Sequence, residues 1–357
     1  MESDNIRSLT CSFLGDIALN GQFPALYKSG KNPFKVMEPV LSGKDFVIGN
    51  VECMAKGGVG VNVLKAPRLT TTTETLNYLN NIHLHVACLA NNHIYDHLYD
   101  GFKKTVHFLD KQSIRHLGAS FTAEGASAPV ILTKNEIKIG LLNYVTHDTN
   151  PNLPGDAEIF LNYFEPERVL KDIRQLKDKV HHVVVNLHWG GRVEGGLYPD
   201  YDQPEIARKL IDEGADLIIG HHSHTFQPYE VYNGKYIFYS IGNYCFSDHW
   251  FEGKYHPLIT RRKVSGIVDV VFTQSSYEVS VNFFRNQITH FEPIDNYSLK
   301  RQHRFFRVLQ SNKIFWGLYF IYHKKIEPAL LFLNRSDITQ KEKLSRMIRS
   351  FLKKIKA

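Results

Sequence analysis

Short apolar runs alternate with amphipathic stretches over the first 250 residues, the pattern of an α/β fold in which helices cover a buried, largely parallel sheet. Runs at 9–14, 46–50, 85–90, 138–145, 182–187 and 216–220 predict strands, and each ends at polar residues. Between them, 73–80, 100–112, 166–179 and 203–214 have helical apolar spacing; in the last, Ile206, Leu210 and Ile211 share a face and Gly214 supplies the stop. The stretch EVYNGKYIFYSI at 230–241 sets Asn-Gly between two aromatic runs, which predicts a hairpin. Alternation at 264–281 predicts a further pair of strands, and one domain is the simplest account of this part.

From about residue 295 the pattern becomes helical, aromatic and basic: RFFRVL, then IFWGLYFIYHKKIEPALLFL, then EKLSRMIRSFLKKIKA. The expected division is therefore 1–295 and a basic helical appendage, 296–357. Residues 300–357 hold 15 Lys or Arg against Glu327, Asp337 and Glu342, so this segment carries +12 of a chain total of +7 and the first 299 residues stand at −5. Arg304, Arg307, Lys324, Lys325, Lys353, Lys354 and Lys356 interleave with Phe, Trp and Leu. That arrangement suits a helix lying on an anionic membrane, and equally helices that cap the α/β domain.

Composition narrows the class further. With 43% hydrophobic and 22% charged residues, the 357-residue chain is globular. Cys11, Cys53, Cys88 and Cys245 follow no CxxC spacing and read as reduced core thiols. The acidic start MESDNIRSLTCSFLGD lacks the basic beginning of an export signal, and the apolar run at 314–322 is about half of the roughly 20 residues a membrane span needs. A cytoplasmic location, peripheral to the inner face of the membrane if the tail binds lipid, is the expectation. No helix-turn-helix, zinc or RNA-binding signature appears, so nucleic acid is not an expected partner.

Candidate chemistry gathers at the C-terminal ends of predicted strands, where α/β sheets open a crevice. Asp16 lies in GDIALNG, Asn50 and Glu52 in GNVE, and Asn91, Asn92, His93 and Asp96 in LANNHIYD; HWG supplies His188, and GHHSH supplies His221, His222 and His224. Imidazole and carboxylate together suit Mn, Fe or Zn, and His222 and His224 would share one face if that segment is extended. Each residue alone has a structural explanation as good as the chemical one: Asp16 as a helix N-cap, Glu52 in a solvated turn, Asn92 in a loop, His93 or His188 packed. Five strand ends each supplying a ligand-type residue do not share such an explanation. The segment GGVGVNV at 57–63 lacks the lysine and helix start of a nucleotide loop and reads as a flexible lid.

In order, FLGDIALNG, FVIGNVE, LANNHIYDHLYDGFKKTVHFLD, HWG and LIDEGADLIIGHHSHTFQPYEVYNGKYIFYSIGN resemble the CapA family of bacterial capsule and poly-gamma-glutamate synthesis proteins, within the calcineurin-like metallophosphoesterase superfamily. The resemblance covers residues 9–250. It implies the calcineurin-like α/β fold, mixed central sheets flanked by helices, and one or two divalent ions held by Asp16, Glu52, Asn92, His188, His222 and His224. It further implies His93 as the acid beside them, with Asp16 also in the catalytic machinery, and Asn50, Asn91, Glu194, His221 and Asn243 as surrounding or substrate-facing residues. Tyr95 and Asp96 are expected to cap the helix that follows. Two-metal phosphoesterases begin D-x-H, whereas Ala18 stands two after Asp16 here, as in the family's own pattern; the His188 to Glu194 spacing is also two longer than H-x-G-x-E.

The function so implied is a metal-dependent phosphoesterase-like hydrolase of capsule, exopolysaccharide or poly-gamma-glutamate synthesis. Its substrate would be an anionic polymer or lipid-linked intermediate and its partners other capsule synthesis proteins. The competing expectation is a non-catalytic polymer-binding or scaffold subunit, for which the missing D-x-H histidine is the best argument.

Overall fold

A computed structural model describes residues 7–251, 254–295 and 297–333. The chain forms two compact units, Met1–Arg304 and Phe305–Ala357; the change of sequence character at 295 thus precedes the structural division.

The first unit contains two mixed sheets where the sequence pattern suggested one largely parallel sheet. The strands of the first are β1 (Leu9–Ile17), β2 (Phe46–Val51), β3 (Val86–Cys88) and β4 (Arg115–Leu117). The second contains β5 (Val130–Lys134), β6 (Ile137–Val145), β7 (His182–His188), β8 (Leu217–His221), β9 (Glu230–Tyr232) and β10 (Lys235–Phe238). The chain then returns to the first sheet with β11 (Asn243–Cys245), β12 (Val264–Phe272), β13 (Tyr277–Asn286) and β14 (Phe291–Pro293). The first sheet runs β14-β13-β12-β1-β2-β3-β4, with β11 also paired to β1; the second runs β9-β10-β8-β7-β6-β5. β1 to β4 pair in parallel, as do β6, β7, β8 and β10, while hairpins add antiparallel strands at the edges. Two sheets result because β6 pairs with β5 and β7 rather than extending the first sheet.

Alternation explains the layers. Leu9, Cys11, Phe13, Ile48, Val86 and Cys88 from the first sheet join Ile137, Ile139, Leu141, Val184, Leu217 and Ile219 from the second in one buried cluster. The opposite face of the first sheet, including Ile17, Val47, Val51 and Ala87, packs on Phe102, Val106 and Leu109 of helix α1 (Leu98–Lys111). Helices α2 (Pro166–Lys177) and α3 (Gln203–Asp212) bury Val169, Ile173 and Leu176, and Ala207, Leu210 and Ile211. Each has Pro in its first turn, where the missing N–H forfeits no intrahelical bond. The predicted hairpin forms with Asn233 and Gly234 both at positive φ, the backbone that Asn-Gly favours. The helix expected at 73–80 is shorter: a 3-10 turn at Thr75–Asn77, then Tyr78–Asn81. All four cysteines are buried and free.

The second unit holds the C-terminal part of helix Lys300–Ser311, then Lys313–Ile321, a π-helical turn Tyr322–Ile326 and Glu327–Leu333. Asn312 caps Lys313–Ile321 by accepting from Ile314 N at 2.8 Å. Phe306, Trp316 and Tyr319 form a chain of ring contacts. Among the described residues no helix is long and apolar enough to cross a membrane. The segment EKLSRMIRSFLKKIKA, with Lys353, Lys354 and Lys356, lies outside the described residues.

Candidate metal centre

Strand register brings the distant motifs together. Asp16 on β1 stands opposite Asn50 on β2 and Asn243 on β11, while His188 at the end of β7 stands opposite His221 at the end of β8. Two glycines permit the close backbone approach this needs. A Cβ on Gly15 would fall 1.9 Å from Gly242 O, and one on Gly220 1.9 Å from Tyr239 O. The free space lets Asp16 N donate to Gly242 O at 2.9 Å and fixes the carboxylate at the strand end.

Asp16, Asn50, Glu52, Asn91, His188 and Asn243 are at most 1% exposed, and His93, His221, His222 and His224 at most 5%. Asp16 Oδ1 accepts from Asn50 Nδ2 (2.9 Å) and lies 3.1 Å from His221 Nδ1; Asp16 Oδ2 lies 3.1 Å from His224 Nδ1 and accepts from His222 N at 3.3 Å. Asn243 Oδ1 also meets His224 Nδ1 at 2.9 Å. With two oxygens on its Nδ1, His224 carries its proton there and keeps the Nε2 lone pair, which points toward Glu52 Oε1 at 3.8 Å. His188 Nε2 lies 3.7 Å from the same Glu52 oxygen and 3.1 Å from His222 Nδ1. Asn91 Nδ2 holds Val51 O at 2.8 Å, and its Oδ1 accepts from His93 N at 3.0 Å, which ties the loop after β3 to the end of β2.

The segment carrying His222 and His224 is not extended, as the HxH spacing suggested. Both residues have left-handed backbone, at φ 88° and 59°. Such conformations are disfavoured for residues with a Cβ and concentrate where function over-determines the local structure. The turn, rather than strand alternation, brings both rings to one centre.

Electrostatics divide the carboxylates. Burial pushes the Asp16 carboxyl up, but hydrogen bonds from His221 and His224 and their charges outweigh it and hold the group well below the usual range. Burial and the neighbouring Asp16 charge push Glu52 well above the usual range, with Lys65 opposing. Burial, reinforced by His222, holds His188 well below the usual imidazole range, and burial reinforced by His224 brings His222 down to about 4. His188 and His222 are therefore neutral near pH 7, as a metal requires.

Two further residues belong to this site, Asp96, expected to cap a helix, and Lys65, which the sequence reading did not single out. Asp96 does not cap the helix, which starts at Leu98; its Oδ2 lies 2.6 Å from His93 Nδ1 and accepts from Leu69 N at 2.7 Å. The H-x-x-D spacing was the available signal. Lys65, which follows the glycine-rich segment, is buried, and its Nζ donates to the main-chain oxygen of Asn92. Burial lowers its proton affinity against the pull of Asp96, Glu52 and Glu194. The glycine-rich segment is itself tied down, with Gly58 N on Asp100 and Asn62 N on Asp96 O at 3.0 Å. Glu194 is exposed on one side and lies 3.6 Å from Arg262; crowding would raise it, but His222, His224 and Arg262 hold it at about 2.

The donor set fits a divalent cation. Glu52, His188 and His222 can each offer a ligand atom within 4.8 Å of the others, as can Asp16, Glu52 and His224, so Glu52 is common to two buried triads. Glu52 Oε2 is buried without a hydrogen-bond partner, a state that native proteins tolerate chiefly where a ligand completes it. One end of the Asn92 amide lies 2.9 Å from His188 Nε2 and 3.1 Å from Glu52 Oε1. With its oxygen there, these lone pairs form a cradle for a cation; with its nitrogen there, hydrogen bonds satisfy them.

Residues 10–248 match the family model described as bacterial capsule synthesis protein PGA_cap. The chain is 31% identical over 261 residues to the PGA biosynthesis protein CapA of Bacillus subtilis (strain 168), a match covering 70% of this chain and 65% of that protein. It is 28% identical over 277 residues to the capsule biosynthesis protein CapA of Bacillus anthracis, covering 74% and 67%. The chain thus spans about two thirds of the length of these relatives. Among solved structures it is similar to a candidate 5'-nucleotidase from Staphylococcus aureus crystallised with alpha-ketoglutarate, at 12% identity and a TM-score of 0.51 over 85% of this chain and 58% of that one. That likeness concerns the fold, which is the calcineurin-like metallophosphoesterase fold implied by the motifs.

Proposed function

The chain belongs to the bacterial capsule synthesis protein family whose model it matches, and from that premise we propose that it is a metal-dependent phosphoesterase-like hydrolase serving capsule, exopolysaccharide or poly-gamma-glutamate synthesis. The observation that carries the reading is the pair of buried donor triads sharing Glu52. Asp16, Glu52, Asn92, His188, His222 and His224 would hold one or two ions of Mn, Fe or Zn, with His221 and Asn243 orienting Asp16 and His224. Such an ion polarises a phosphoryl oxygen and lowers the pKa of water toward neutrality.

The chain's own residues supply the proton. Asp96 accepts from His93 Nδ1 and fixes the ring, so Nε2 donates to a leaving oxygen from the doubly protonated imidazolium, the form that burial opposes and the Asp96 charge favours. Asn91 sets the His93 backbone through His93 N. The substrate class that fits is an anionic polymer or lipid-linked intermediate, handled beside other capsule synthesis proteins. A peripheral position at the inner face of the membrane is part of the proposal: the second unit exposes Ile314, Phe315, Leu318 and Ile321 together with Lys313, Lys324 and Lys325.

The test is hydrolysis of bis(p-nitrophenyl) phosphate by protein loaded with Mn, Fe or Zn. Turnover that disappears with chelator and in His93→Ala supports the reading. A metal-loaded, folded protein with no turnover above the metal blank contradicts it.

A further inference from the structure

Among the described residues Lys65 is the one lysine or arginine that is buried, at 7% exposure. It makes no direct ion pair among the described residues, although Asp96, Glu52 and Glu194 all act on its charge. An ammonium has three donors; Lys65 places one on the main-chain oxygen of Asn92. A second partner depends on how the Asn92 amide is turned. With the amide oxygen outward, it accepts from Lys65 Nζ at 3.0 Å, and the nitrogen faces Glu52 and His188. With the oxygen inward, toward those two groups, the amide nitrogen faces the ammonium and that bond is lost. The Asn92 oxygen therefore serves Lys65 or the metal centre, not both. When it serves the centre, a buried cation with two unused donors is left beside the donor triads.

We propose that Lys65 is the oxyanion anchor of this site: metal loading turns the Asn92 oxygen inward and releases the Lys65 ammonium to bind a phosphoryl or carboxylate oxygen of the substrate. The proposal rests on the metal-hydrolase reading above and adds to it the residue that recognises substrate charge. A buried, incompletely bonded cation is stabilised by an anionic oxygen far more than an exposed one would be. The same coupling makes anion binding conditional on metal, because in the unloaded form Lys65 is engaged by Asn92.

Isothermal titration of wild type, Lys65→Met and Lys65→Arg tests this, first with Mn²⁺ and then, on the loaded proteins, with inorganic phosphate and with glutarate. The expected result is that K65M binds Mn²⁺ at least as tightly as wild type, having lost both a competitor for Asn92 and a neighbouring positive charge. It should bind the recognised anion about 10- to 100-fold more weakly, and K65R should recover part of the loss. A Lys65-dependent loss for phosphate assigns a phosphoryl group, and for glutarate a carboxylate. Loaded wild type and K65M that bind both anions equally overturn the anchor and leave the hydrolase reading standing. K65M that loses Mn²⁺ as well overturns it in favour of a structural role, and a wild type that takes no metal overturns both readings.

Discussion

Replacing Glu52 by Gln should make the metal-free protein more stable, and metal binding should cancel or reverse that gain. The side chain is fully buried, Oε2 has no partner, and Asp16 is the negative charge that acts on it most strongly. Near pH 7 the fold must either hold this carboxyl protonated or bear a buried, poorly bonded anion; the amide keeps the shape and removes the charge. Relief of one unsatisfied buried group is worth about 1–3 kcal/mol, and with an unfolding entropy of roughly 0.6 kcal/mol/K for a unit of this size, Tm should rise by about 2–5 °C in chelator. With Mn²⁺ at about 1,000 times Kd, wild type gains roughly 4 kcal/mol from binding. Loss of a charged ligand shared by two triads weakens binding by roughly 100-fold, which removes about 2.7 kcal/mol of that gain. Thermal unfolding followed by circular dichroism should therefore show an E52Q advantage in chelator that is cancelled or reversed in Mn²⁺. A difference of the same sign and size in both conditions would refute the reasoning and leave Glu52 a structural carboxylate.

Further outcomes follow from the same geometry. His93→Ala should lower turnover by about 10²–10⁴-fold with metal content unchanged, and Asp96→Asn should lower it less and move the alkaline limb of the pH–rate profile, where His93 loses its proton, to lower pH. His222 is buried and brought down to about 4, so the unfolded chain binds the extra proton between about pH 4 and 6.5. The metal-free protein should then lose about 3 kcal/mol from this group as pH falls through that window, and urea melts of His222→Gln should show a shallower acid decline. Gly220→Ala places a Cβ 1.9 Å from Tyr239 O and should destabilise by roughly 3 kcal/mol, read as a lower urea midpoint without change in slope.

What the chain revealed in advance was local. Strands ending in polar clusters, the Asn-Gly hairpin and the helices near 100–112, 166–179 and 203–214 were legible because each depends on periodicity or turn chemistry within a few residues. The partition into mixed central sheets came from the family resemblance and not from periodicity, since β6 pairing with β5 and β7 is a choice among strands of similar character. Residue types at the centre were visible as a recurrence at strand ends, but their geometry was not: His222 and His224 meet through left-handed backbone that no alternation pattern encodes. Asp96 and Lys65 escaped for a different reason. One reads as a helix cap and the other belongs to no motif until tertiary packing sets them against His93 and Asn92.

The most direct test of the central claim is elemental analysis of purified wild type, Asp16→Ala and His222→Ala. The account predicts one or two Mn, Fe or Zn per wild-type chain, lost in both variants while their folds persist. A folded wild type that carries no metal and takes up none on incubation would contradict it and turn the interpretation to a polymer-binding or scaffold subunit.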